Sequence, residues 1–120
     1  MFIKRLDDCE EIIANDGCRL KEVLHVDRDS VDLPYSLAFA RVDPGKATLP
    51  HRLVSQDEVY TIFNGGGIMH IGDEEAEVTA GDTIHIPAGS RQWIENTGTG
   101  ELYFSALVSP PWRQEDDLLL

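Results

Sequence analysis

Long apolar runs are missing from this chain. No stretch approaches the roughly 20 residues needed to cross a bilayer, and the opening MFIKRLDDCEE has no apolar segment followed by a small-residue cleavage site. These absences predict a cytoplasmic protein with no membrane partner. Basic charge is also scarce. Ten Lys and Arg stand against 22 Asp and Glu, a net charge of −12, which repels phosphate backbones and argues against a nucleic-acid partner. Of the two cysteines, Cys9 and Cys18, neither belongs to a CxxC motif or lies beside a histidine pair. That excludes a zinc knuckle or redox motif and leaves two free thiols, as a reducing compartment favours.

Glycine and proline, by contrast, recur at short intervals. They fall in Asp43-Pro44-Gly45, Asn64-Gly65-Gly66-Gly67, Gly72-Asp73, Ala80-Gly81-Asp82, Pro87-Ala88-Gly89 and Asn96-Thr97-Gly98. The intervening runs, YSLAFARV, EVYTIF, GIMHI, AEVTA, TIHIP, QWIEN and ELYFSALVS, have the length and the β-branched, aromatic composition of strands. The fold class predicted is all-β, a sandwich or barrel. The Gly65-Gly66-Gly67 run reads as a tight hairpin and the segment after Ile71 as another. Residues 6–14, LDDCEEIIA, carry the one helical pattern, with Leu6, Cys9, Ile12 and Ile13 grouped and acids in the first turn. CRLKEVLHV resumes as a strand, whereas SPPWRQEDDLLL is expected to leave the sheet at Pro110-Pro111. At 120 residues one domain is expected. Its parts are an N-terminal helix and strand extension (1–30), a barrel (31–109) and a C-terminal tail (110–120).

Side chains two apart on a strand share a face, so His51 and Leu53 point together, as do Glu58, Tyr60 and Ile62. A strand with Glu58 lying beside one with His51 would bring an imidazole and a carboxyl together, and the Pro-Ala-Gly turn would aim Gln92 at the same place. His51, Glu58 and Gln92 form an oxygen-rich set of candidate metal ligands. An apolar small-molecule cavity is the alternative. His70 and His85, each flanked by apolar neighbours, are expected on the opposite face by parity. His25 is assigned to structure. Tyr60, Trp93 and Trp112 are candidate aromatic walls, and Arg52 or Arg91 candidate contacts for an acidic substrate.

The spacing then matches a known pattern. Gly45, His51, Leu53, Glu58 and Gly65 lie on G(X)5HXH(X)3-4E(X)6G, and Gly81, Pro87, Gly89, Gln92 and Asn96 on G(X)5PXG(X)2H(X)3N, with no gap in either. Across residues 45 to 96 the chain resembles a small single-domain cupin. The resemblance implies a double-stranded β-helix, the cupin jelly-roll barrel, holding a divalent metal ion such as zinc, manganese, iron or nickel. Two ligand positions depart from the pattern, Leu53 and Gln92, which leaves His51, Glu58 and Gln92 as the reduced metal set. Families of this kind include isomerases, lyases, decarboxylases and dioxygenases, and their barrels commonly pair. A homodimer through Val59, Thr61 and Phe63 and a polar small-molecule ligand are the partners implied. Metal-dependent enzyme and non-catalytic binding module both stay open.

Overall fold

A computed structural model describes all of residues 1–120. Eleven strands run in chain order: β1 (Ile12–Ile13), β2 (Arg19–Leu24), β3 (Ser36–Val42), β4 (His51–Leu53), β5 (Asp57–Asn64), β6 (Gly66–Ile71), β7 (Glu74–Thr79), β8 (Thr83–Ile86), β9 (Gln92–Asn96), β10 (Leu102–Ser109) and β11 (Asp117–Leu119). They form a six-stranded sheet ordered β1-β2-β3-β10-β5-β8 and a five-stranded sheet ordered β11-β4-β9-β6-β7, with every pairing antiparallel. This is the jelly-roll arrangement the cupin resemblance implies. No helix is long and apolar enough to cross a membrane.

Alternation decides what each sheet buries. Along β5 the inward set Glu58, Tyr60 and Ile62 is 7, 3 and 1% exposed, while Phe63 on the other face is 50% exposed. Ile94, Leu102, Phe104, Ile86 and Met69 fill the space between the sheets. Each such side chain contributes roughly 1.5–3 kcal/mol on burial.

Three local expectations are corrected and a fourth is extended. Residues 6–14 do not form a helix. Only Leu6–Asp8 make a 3-10 turn, and Ile12–Ile13 pair with Leu20 and Arg19 as an edge strand. Two β-branched isoleucines favour an extended backbone once a neighbouring strand is available. The glycine run is not a hairpin, because β5 and β6 lie in different sheets and Gly65 (φ 82°) turns the chain between them. The strand bearing Glu58 does not pair with the one bearing His51; the two face each other across the barrel. Finally, the tail does leave the six-stranded sheet at Pro110, but it crosses to the other sheet. There Asp117, Leu118 and Leu119 pair with Leu53, Arg52 and His51.

Candidate functional site

The barrel encloses a cavity of about 620 Å³, lined on its inner wall by Ala38, Ala40, Leu53, Phe104, Ala106 and Val108. His51, Glu58 and Tyr60 enter it from opposite sheets. His51 opens β4 directly after Pro50 and lies opposite Gln92 of β9. Its Nδ1 is 2.7 Å from the Leu49 carbonyl oxygen, an acceptor, so Nδ1 carries a proton and Nε2 faces the interior. The side chain is 5% exposed.

Gln92 is 1% exposed and bridges two residues of β5. Its Nε2 donates to Glu58 Oε1 at 2.9 Å, and its Oε1 accepts from the Tyr60 hydroxyl at 3.2 Å. The turn before it is held by Gly89 N donating to the Leu53 carbonyl (2.7 Å) and Ala88 N donating to Asp57 Oδ1 (3.2 Å), which fixes the direction in which β9 starts. Burial pushes the Glu58 carboxyl up to about 8, against the opposing effect of the Gln92 bond and with Asp16 and Asp117 adding to the rise. Burial likewise raises the Tyr60 hydroxyl far above its usual value. The site therefore holds a carboxyl that stays protonated near neutrality, beside an imidazole with one nitrogen turned inward.

Two further groups were not visible in the pattern. Asp16, in the turn between β1 and β2, places Oδ2 3.7 Å from His51 Nε2 while Oδ1 accepts the Cys18 amide at 3.1 Å. Asp117, from the tail, accepts the Trp112 indole N–H at 3.0 Å through Oδ2 and leaves Oδ1 buried without a partner. Asn-Asp-Gly reads locally as a turn and EDD as a solvated run, and both lie outside the 45–96 motif region. No local signal marks either residue.

The remaining candidates fall elsewhere. Trp112 lines the cavity. Trp93 does not: its ring stacks on His70 at 4.1 Å on the outer face, with the Arg91 guanidinium 4.6 Å from its centroid. His85 is exposed and bonds Asp57 at 3.0 Å. Both histidines face outward, as parity predicts. Arg52 is exposed on the outer side of β4. His25 is structural: Nε2 donates to the Trp112 carbonyl (2.8 Å) and Nδ1 accepts the Asp27 amide (3.1 Å). Asn96 donates to the Val42 and Gly100 carbonyls (2.8 and 2.9 Å), tying β9 to the end of β3.

As a metal cage the donor set is incomplete. No three His, Cys, Asp or Glu side chains converge on a common point, and the Gln92 oxygen is already engaged by Tyr60. His51 alone has the posture of a ligand, its far nitrogen anchored to a carbonyl.

A family model described as a cupin domain matches residues 38–108. An uncharacterized protein of Methanocaldococcus jannaschii is 36% identical over 114 residues, covering 95% of this chain and 90% of its own length. The oxalate-binding protein of Thermotoga maritima is 33% identical over 72 residues, covering 58% of this chain and 60% of its own. Among solved structures, the Streptomyces nucleoside dehydratase Pac13 superposes with a TM-score of 0.81 at 18% identity, over 100% of this chain and 91% of that one.

Proposed function

The chain belongs to the cupin domain family, and from that premise we propose that its barrel interior binds a polar small molecule at His51, Glu58 and Tyr60, the last two positioned by Gln92. One observation carries the reading. A cavity of about 620 Å³ with an apolar inner wall receives His51, held by the Leu49 carbonyl, and Glu58 and Tyr60, held by Gln92, which is the make-up of a ligand site. The same groups suit proton-transfer chemistry of the lyase or isomerase kind. His51 Nε2 takes a proton from the substrate while Glu58, kept protonated by burial, gives one to a leaving oxygen. Return of the proton from His51 to Glu58 then completes a loss of water. A non-catalytic binding module uses the same contacts without that step.

The second reading is a divalent metal ion on His51, Glu58 and Gln92, favoured by the Nδ1 anchoring of His51. Such an ion, zinc, manganese, iron or nickel, would polarise a carbonyl or hydroxyl of the ligand. The deciding experiment is a thermal-shift screen of polyols, hydroxy acids and amines on parent and His51→Ala, with metal content measured after chelator-free purification. A stabilising compound whose effect vanishes in His51→Ala, in protein carrying little metal, is the expected result. Stoichiometric metal that disappears in His51→Ala would replace the first reading by the second. No compound and no metal would end both.

The protein is further proposed to act in the cytoplasm as a homodimer. Both cysteines are free thiols. Phe39, Phe63 and Tyr103 pack together on the outer face of the six-stranded sheet, Phe39 and Phe63 edge to face and Tyr103 tilted against both, with centroids 5.8 to 6.1 Å apart. That patch, with Phe63 half exposed and Phe39 and Tyr103 partly so, supports pairing with a second copy.

A further inference from the structure

The polar groups of the cavity are unequal in kind. Apart from the Glu58 O–H, the donors in and directly behind its wall are spent: Tyr60 O–H on Gln92, Gln92 N–H on Glu58, Trp112 indole N–H on Asp117 and His51 Nδ1–H on the Leu49 carbonyl. Acceptors are left over. Asp117 Oδ1 is buried with no partner. Asp16 Oδ2 and His51 Nε2 face each other at 3.7 Å, too far for a direct hydrogen bond. With Nδ1 protonated, a neutral His51 presents a lone pair to a carboxyl oxygen, an arrangement that a hydrogen donor or a positive charge relieves.

The charges point the same way. Lys4 and Arg28, the basic side chains of the lining, are held by Asp29 and Glu22 at the rim. Cys18, beside Asp16, is a thiol whose ionisation burial opposes strongly. An anion entering the barrel meets Asp16 and Asp117, with Glu58 held protonated between the sheets, and no free cation.

We propose that Asp16 Oδ2, 3.7 Å from His51 Nε2, forms a subsite for the ammonium group of an organic ligand. Asp16 is then a ligand-contacting residue supplied by the N-terminal extension. It confines the chemistry of the ligand to molecules that are cationic or rich in donors. The proposal rests on the small-molecule reading above and narrows it.

The test is an amide-resolved NMR titration with ethanolamine, ethylene glycol and glycolate at one pH and ionic strength, and separately with manganese chloride. Parent and Asp16→Asn are compared; the amide oxygen of Asn retains an acceptor for the Cys18 N–H. Ethanolamine is expected to move the signals of Cys18 and Gln92 in the parent, and to bind about tenfold more weakly or worse in Asp16→Asn, the usual loss for a charge-assisted contact. Ethylene glycol should lose little. Broadening of the same signals by manganese in the parent, absent from the variant, would overturn the ammonium subsite in favour of a metal ion. Equal ethanolamine affinity in both proteins overturns the role of Asp16 and leaves the small-molecule reading intact. Tighter binding of glycolate than of ethanolamine overturns the cation subsite, and that comparison needs only the parent should the variant fail to fold. Silence from all four probes would count against both proposals.

Discussion

Glu58 shows how a single side chain acquires properties its position in a motif does not convey. In water a glutamate ionises near 4.5, whereas inside this barrel the value rises to about 8. Between those limits the folded protein holds a proton that the unfolded chain has released. The unfolded state binds fewer protons there, so stability falls as pH rises from about 4.5 to about 8, and levels off above. A tenfold difference in proton affinity between the two states is worth about 1.4 kcal/mol, so the loss across that range is on the order of 5 kcal/mol. Glu58→Gln keeps an acceptor for the Gln92 amide and removes the ionisation. Denaturant midpoints measured from pH 5 to pH 9 should therefore decline less steeply for the variant than for the parent, and the variant should be the more stable at pH 8. Parallel slopes would show that Glu58 is not the buried acid.

At the level of elements, two glycines of one sheet separate packing from conformation. A Cβ on Gly67 would sit 1.8 Å from the Glu95 carbonyl oxygen, so β6 and β9 approach too closely for any side chain there. Gly72, at φ +59° in the β6–β7 turn, has open space around it. Gly67→Ala is expected to cost about 3 kcal/mol or more, because two backbones must part. Gly72→Ala should cost about 1 kcal/mol, the usual strain of a left-handed Ala. Chemical denaturation of the two variants tests the order, and a reversal would contradict the register of β6 on β9. The tail makes a second case. Removing residues 117–120 uncovers β4 and deletes the Asp117 partner of Trp112. The truncated protein should remain folded while amide protection is lost around residues 51–53; unchanged protection would mean that β11 does not dock.

For the whole molecule, the outer face of the six-stranded sheet and the barrel interior are separate surfaces built by one alternation. Leu37, Phe39, Val59, Phe63, Tyr103 and Leu107 alternate with the inward residues of β3, β5 and β10. If that face pairs two copies, sedimentation at micromolar concentration will give a dimer for the parent and a monomer for Phe63→Lys. A parent that sediments as a monomer would remove the dimer from the proposal while leaving the cavity untouched.

What was legible in the chain was what depends on neighbours within a few residues. Turn glycines and prolines, alternation of polarity, and the spacing from Gly45 to Asn96 specified a β barrel. They also grouped His51 with Leu53 and Glu58 with Tyr60 and Ile62 on shared strand faces, because strand parity is a local property, while the closed barrel decided which face is the inner one. The helical reading of residues 6–14 failed because a 3.6-residue pattern was offered a strand to pair with at β2, and pairing outweighs propensity. Only the closed barrel could decide the rest. Asp16 and Asp117 come from the two ends of the chain, 101 positions apart, and meet the cavity because β2 and β11 complete opposite sheets. The proton on Glu58 is likewise a tertiary fact, since the loss of water around a carboxyl is created by packing and not written at any one position.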